Sequence, residues 1–450
     1  MRRALLFAAW LALCPALSFA EATDLSPGQI RDAARTALKT GQPEIARDLA
    51  AALLERDASD ISAKLLQARA VRDLREFDQS IALAKDAFDL AQTDLQRYAA
   101  AMVVAQALSS KGARTRAQLW LRRAVDLAPD ERLKANAIRD FQYVRDRNPW
   151  SSNLSFGATP NSNVNNGSKS DTVIIDGIEQ TLNGDAKALS GMEYQLSADT
   201  EYSRQLSERM WVFGGGAVEM RRYTLSSAAK AQAVSLTGSD LRYDEAELTF
   251  GTTFFATPSA GPTTAAVSAG RGWYAGAPLV DFVRLSVDQT VPISQTKRLS
   301  FALLGDSQTR INDPINSSVS WTAQTALSQK MGNGDRLQYS LSLRDTASDG
   351  GATAHEGWSA GITWTRAKPV AGMQLSAGLT FDGRHYDEAF FGTERRADRG
   401  VSAEISVVLP KLEKFGFAPE ISFSAAQNLS NVGLYETRDY GVTFGFRSAF

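Results

Sequence analysis

A single cysteine, Cys14, occurs in 450 residues. It lies in an N-terminal stretch expected to be removed, so the mature chain is expected to have no disulfide, thiol nucleophile or cysteine metal site. Histidine is almost as scarce, with His355 and His385 only. No metal-ligand spacing and no Gly-rich loop opening a helix is present, which leaves metal and phosphate-loop chemistry without residues. The 49 basic and 50 acidic residues leave a net charge of −1. That excludes the strongly basic footprint of a nucleic-acid binder. After residue 20 no apolar run approaches the ~18 residues of a helical membrane span. A β-barrel escapes this exclusion, because its alternating strands average out on any hydropathy window.

What is present begins with an export signal. Arg2 and Arg3 form a charged start, Leu5 to Leu17 a short apolar run, and Ser18-Phe19-Ala20 a small-residue cleavage site. Cleavage is expected between Ala20 and Glu21. Leu13 is too large to precede a lipidated cysteine, so ordinary cleavage is expected rather than lipidation at Cys14.

Residues 26–147 are rich in Ala, Leu, Arg, Asp and Glu, and their apolar positions recur at three and four, as in Leu65, Ala68 and Val71. A longer period lies beneath. Gly41, Ala46 and Leu53 are followed by Arg75, Ser80 and Ala87, then by Gly112, Ala117, Ala124 and Pro129. The spacing is 34 and then 37 residues, from 41 to 75 to 112. Small residues where paired helices cross, and a Pro closing a helix, suggest tetratricopeptide-like repeats, with a generic stack of helical hairpins as the alternative. Either is a short α-solenoid, whose concave face is a usual seat for a peptide or protein.

The helical period stops at Asn148-Pro149-Trp150, since Pro disfavours helix in the residue before it. From there the period is two. Leu337, Tyr339, Leu341 and Leu343 alternate with Gln338, Ser340 and Ser342. Tyr440, Val442, Phe444 and Phe446, with Phe450 beyond, alternate with Gly441, Thr443, Gly445 and Arg447. One greasy and one polar face, sustained over a domain, predict an antiparallel transmembrane β-barrel with lipid outside and a wet lumen. About fourteen strands are expected, starting near 150, 191, 211, 240, 262, 281, 298, 317, 335, 356, 372, 399, 416 and 438. Connections after even strands are mostly short and those after odd strands mostly long, among them 305–317, 345–356, 383–398 and 428–437. Short turns belong at the periplasmic rim, so the helical part is expected in the periplasm. The expected division is a signal peptide over 1–20, a periplasmic helical domain over 21–148 and an outer-membrane barrel over 149–450.

Three segments carry a resemblance. They are Pro160-Asn-Ser-Asn-Val-Asn-Asn-Gly167, Arg395-Arg-Ala-Asp398, and the last stretch with Phe417-Ala-Pro-Glu-Ile-Ser-Phe423, Asn428-Leu-Ser-Asn-Val-Gly-Leu-Tyr435 and the terminal Phe. Together with the repeat-plus-barrel order they resemble the surface lipoprotein assembly modulators (Slam), over roughly 26–450. The resemblance implies a translocon that moves lipoproteins or small secreted proteins across the outer membrane. The family-like positions are Asn161, Asn163, Asn165, Asn428, Ser430 and Asn431. The bland reading of the same asparagines is that they build turns. The repeats here are few and worn, so no client-binding residue carries over.

His385, in Arg384-His-Tyr-Asp387 and near Asp382, is the nearest approach to a catalytic cluster, and a solvated loop is the plainer reading. No enzyme activity and no cofactor are expected. The expected partners are outer-membrane lipid, the barrel assembly machinery and a client lipoprotein or secreted protein. No nucleic acid is expected, and the protein is expected to be a monomer. The alternatives are an exopolysaccharide export porin, or a passive solute channel or surface receptor.

Overall fold

The computed structural model of the chain describes residues 25–175, 177–257, 261–389 and 394–448. The expected cleavage pair Ala20 and Glu21, and the terminal Phe450, lie outside the described residues. The chain divides into two compact units between Ala137 and Ile138.

The first unit is helical. Its helices are α1 (Pro27–Lys39), α2 (Pro43–Arg56), α3 (Ile61–Asp73), α4 (Phe77–Leu90), α5 (Asp94–Ser110) and α6 (Arg114–Leu127). The division falls inside α7 (Glu131–Arg145). Local chemistry starts these helices. Ser26 with Gln29, and Thr93 with Gln96, form capping boxes, and Asp60 caps α3. Such caps typically contribute about 1 kcal/mol each.

The repeat read from sequence is a repeat of backbone. Gly41, Arg75 and Gly112 all take left-handed φ, at 72°, 67° and 89°. In each case the next residue donates back over the turn, Gln42 N to Ala37 O, Glu76 N to Val71 O and Ala113 N to Leu108 O, at 2.8, 2.8 and 2.9 Å. That is the Schellman closure of a helix. One residue type departs from it, because Arg75 carries a side chain where glycine fits best. Arg75→Gly is therefore expected to raise the thermal midpoint of the helical signal, by an amount worth about 1 kcal/mol. A lowered midpoint would mean the Arg75 side chain has a stabilising role of its own.

The seven candidate packing positions split in two. Ala46, Ala87, Ala117 and Ala124 are fully buried between helices. Gly41 and Gly112 are exposed turn residues, and Pro129 is exposed in the connection between α6 and α7. Ser80, in register with Ala46 and Ala117, is also buried, and its hydroxyl donates to Ala68 O at 2.7 Å.

The second unit is a closed barrel of fourteen antiparallel strands. They are β1 (Trp150–Asn161), β4 (Gly191–Ser207), β5 (Met210–Leu225), β6 (Tyr243–Phe254), β7 (Thr263–Tyr274), β8 (Ala277–Pro292) and β9 (Lys297–Arg310). The ring continues with β10 (Ser318–Lys330), β11 (Arg336–Ser348), β12 (His355–Thr365), β13 (Gln374–Ala389), β14 (Arg395–Val408), β15 (Phe417–Ser430) and β16 (Thr437–Ser448). A separate hairpin, β2 (Thr172–Ile175) and β3 (Ile178–Thr181), lies in the first long connection. Register keeps the apolar face outward all round, with Leu343↔Trp358, Ala377↔Ile405 and Phe423↔Val442. Leu154, Leu248, Phe250 and Phe446 stand more than half exposed on that face. A continuous apolar band of this extent is a lipid-facing surface, and the unit is an outer-membrane β-barrel.

Two tryptophans need glycine beneath them. Trp321 lies over Gly305 and Trp358 over Gly383, where a Cβ would come within 2.8 and 2.6 Å of the indole. At the rim where β1 begins, Trp150 and Tyr202 meet edge to face at 5.0 Å. Among the described residues, the seam between β1 and β16 is the lightest in the ring. Its partners are Gly157↔Gly445, Ala158↔Phe444 and Asn161↔Gly441, whereas the other seams pair along most of their length.

The expected contrast of long and short connections needs correction. Only 162–190 and 226–242 are long. Connection 275–276 is a two-residue turn with both residues left-handed. The others at that rim are no longer than 366–373 or 409–416 at the opposite rim. Strands β9, β11, β13 and β15 run on through polar residues counted as loop from sequence, since backbone pairing continues beyond the apolar band.

Candidate functional site: the barrel lumen and one rim

Because side chains alternate, the strand positions between the lipid-facing ones line the lumen. Arg284 of β8 organises one wall. Its Nη1 donates to Glu245 Oε1 at 2.9 Å and to Glu247 Oε2 at 3.0 Å, and its Nε lies 4.0 Å from Asp306 Oδ1. The guanidinium also stacks over Phe282, 3.9 Å from the ring centre. Tyr243 donates to Glu245 at 2.5 Å, and Arg221 Nε donates to Glu219 Oε1 at 2.6 Å. Three carboxylates thus share Arg284, which leaves this wall acidic.

A lumen cavity of about 710 Å³ is lined from this wall by Glu247, Arg284 and Asp306, and from β11 to β13 by Arg344, His355 and Arg384. Arg384 Nη2 is 3.8 Å from Asp382 Oδ2, and the Arg344 side chain makes no hydrogen bond or ion pair among the described residues. Acid faces base across a wet space, an arrangement that orients a charged or polar segment and selects by charge. Removing Arg284 tests this. In planar bilayers with a salt gradient, Arg284→Gln is expected to move the reversal potential toward the cation's by about 10 mV, because three carboxylates lose their shared counter-charge. An unmoved potential would place the Arg284 wall off the conducting path.

The segments that carry the family resemblance come together at the rim opposite the one where β1 begins. Asn431 accepts from Ala397 N at 2.8 Å and donates to Arg395 O at 2.9 Å, joining the 428–435 segment to the 395–398 segment. Arg396 pairs with Asp398 at 2.5 Å, and that carboxylate is almost fully buried. The Arg396 guanidinium sits 4.1 Å from the centre of the Tyr386 ring and 3.3 Å from that of Tyr435. Across the light seam, Ser168 donates to Gly433 O at 2.6 Å and Lys169 N to Glu436 O at 2.8 Å.

Asn161, Asn163, Asn165, Asn428 and Asn431 hold backbone or a neighbouring strand. Asn161 accepts from Asn163 N at 2.6 Å and reaches Asp439 at 3.4 Å. Asn163, buried, exchanges two bonds with Gly167, at 2.7 and 2.9 Å. Asn165 accepts from Leu189 N at 2.9 Å and donates to Lys187 O at 2.8 Å. Asn428 donates to Tyr435 O at 2.8 Å, and Ser430 accepts from Val432 N at 3.1 Å. These are turn and cross-strand bonds. The expected barrel signal also takes its strand: Phe444 and Phe446 face outward opposite Ile421 and Pro419. Tyr440 and Val442 share their parity.

The two long connections build a small core of their own that no sequence period announced. Val164 and Leu189 from the first pack with Ala229, Ala233 and Leu241 from the second and with Leu225 at the end of β5. The second contributes a short helix, α8 (Ser227–Gln232), capped by Ser226. Ser226 followed by Ala228 and Ala229 was the available signal, but a helix of six residues is too short for a period to emerge.

His385 and Asp382, near each other in the sequence, lie on opposite faces of β13. His385 pairs with Glu356 on the outward parity of β13, while Asp382 pairs with Ser359 on the lumen parity. Strand alternation separates residues that are close in sequence. His355 stacks on Tyr386 with centroids 5.1 Å apart. Among the described residues no cluster of three metal-ligating side chains occurs.

No family model matches the chain, and no curated protein matches it. Among solved structures it is similar to an outer-membrane channel of Pseudomonas putida F1, at 12% identity and TM-score 0.31, covering 65% of this chain and 94% of that one. It is also similar to OprD of Pseudomonas aeruginosa, at 9% and 0.34, covering 67% and 96%. A structure described as a bacterial polysaccharide outer membrane secretin stands at 11% and 0.34, covering 66% and 98%. On its own strand ladder and faces, the chain is a helical domain followed by a fourteen-strand outer-membrane β-barrel.

Proposed function

We propose that the protein is an export or surface-display factor for a specific lipoprotein or small secreted protein, of the kind the surface lipoprotein assembly modulators represent. The helical unit lies in the periplasm and holds the client; the barrel provides the passage, without covalent chemistry. The observation that carries this reading is the pairing, in one chain, of a repeat stack suited to a peptide with a closed barrel whose lumen is polar. The barrel is taken to reach the membrane through the barrel assembly machinery and to stand as a monomer in lipid.

A passive solute channel is the second reading, favoured by the charged lumen cavity. Truncation separates the two. A chain whose mature part begins at Asn148 keeps every barrel strand and is expected to insert, yet to lose most of the client recovered at the cell surface. Normal client display by that chain, or free passage of small solutes with no client recovered on the full protein, moves the assignment to the passive channel.

A further inference from the structure

The helical unit holds a group of cations that its own fold leaves only partly neutralised. α1 packs on α3 and α3 on α5, so alternate helices share one face of the stack. On it lies a cavity of about 290 Å³, lined by Arg35, Leu38 and Lys39 of α1 and by Leu66, Arg69, Arg72 and Asp73 of α3. Asp73, the acid in this lining, is already held by Arg72 at 2.8 Å, and Arg72 also donates to Gln106 of α5 at 2.8 Å. Arg35 reaches Asp32 on its own helix at 2.8 Å, where both side chains are more than half exposed and the pair is worth little. The side chains of Lys39 and Arg69 make no hydrogen bond or ion pair among the described residues.

Arg69 is the informative member. It is half-buried. Burial, with Arg72 and Arg35 adding repulsion, lowers its pKa from the usual arginine value. A partly desolvated guanidinium among like charges is a cost to the folded unit, with no return inside it. A cost of that kind in a cleft marks a binding site more often than a surface ornament does. The cavity also has an apolar part, Leu38 and buried Leu66, which a bare anion would leave unused.

We infer that this cleft binds an acidic peptide segment, a carboxylate side chain engaging Arg69 and Lys39 while a neighbouring apolar side chain rests on Leu38 and Leu66. Arginine clusters recognise acidic motifs in this way, and solenoid faces take extended peptides. The inference rests on the client-holding reading and names the chemistry that the held segment presents.

The test uses the full chain in detergent and a fluorescein-labelled Glu-Leu-Glu-Leu-Glu-Leu peptide, read by anisotropy. Binding is expected to weaken about tenfold on Arg69→Gln and to fall with added salt. Arg69→Lys should keep most of the binding, which separates loss of charge from loss of fold. Arg116→Gln, an exposed change on α6, should leave it unaltered. Equal binding by wild type and Arg69→Gln overturns the site. So does a Gln-Leu peptide that binds as well, or displacement by inorganic phosphate at concentrations comparable to the probe. Arg69-dependent peptide binding, with client display unaltered when the whole helical unit is removed, would keep the site and remove the client-holding reading. Peptide binding that persists in Arg69→Gln, with display lost when the helical unit is removed, would do the reverse.

Discussion

Cells expressing the Phe444→Asp, Phe446→Asp double variant should contain almost no folded barrel in the outer membrane. Both residues face lipid in β16, opposite Ile421 and Pro419 of β15. Each is about half exposed, at 49% and 59%, which in lipid means half the side chain in hydrocarbon. A charge near the bilayer midplane costs on the order of 2–4 kcal/mol for a basic residue and less for an acidic one. Two such changes in one strand approach the total stability of many domains, about 5–15 kcal/mol. Position magnifies the effect. β16 closes the ring against β1 through the lightest seam, and Phe444 is one of its paired residues, opposite Ala158. Thr443→Asn, on the lumen parity one residue away, should leave the level of folded barrel near wild type. The measurement is the fraction of heat-modifiable protein in purified outer membranes. Wild-type levels in the double variant would mean that this face of β16 does not meet lipid.

The second result is all-or-none in form. Single cysteines at Ile178 and Val234, 63% and 88% exposed in the two long connections, should react on intact cells with an impermeant thiol reagent. Cysteines at Glu208, Gly332 and Lys368, exposed in turns of the opposite rim, should react only after the outer membrane is opened. Choice of position matters. Ala229 lies in the second long connection but is 3% exposed within its core. Gly351 has Glu388 within 2.0 Å of any added Cβ. Neither would report topology. Labelling at Gly332 with none at Val234 would invert the proposed orientation and put the helical unit outside the cell.

Much of the barrel was legible one strand at a time. An alternating face such as Leu337 to Leu343 needs no partner to be recognised, because period two follows from the backbone alone. All fourteen expected starts therefore find a strand, with shifts of a few residues such as 281 to Ala277 and 399 to Arg395. Strand ends were less legible. Pairing continues into polar residues beyond the apolar band, which is why the loops after β9, β11, β13 and β15 are shorter than expected. The helical turns were legible for a related reason. A left-handed residue must recur where the same hairpin recurs, and Gly41 and Gly112 point to Arg75 between them.

By itself, then, the sequence determined the order of a helical repeat and a two-faced barrel, since both periods are properties of local backbone geometry. Only the tertiary structure decided what the polar residues do. Arg284 serves Glu245, Glu247 and Asp306 because register brings β9 level with it on one side and β6 within reach across β7 on the other, and a slip of one residue would turn each side chain to the other face. Asn163 holds Gly167, and Asn431 ties its own loop to β14. Arg69 meets Arg35 because α1 packs on α3. Such partners are set by closure and stacking over long separations, and a periodic pattern carries no information about distances between elements.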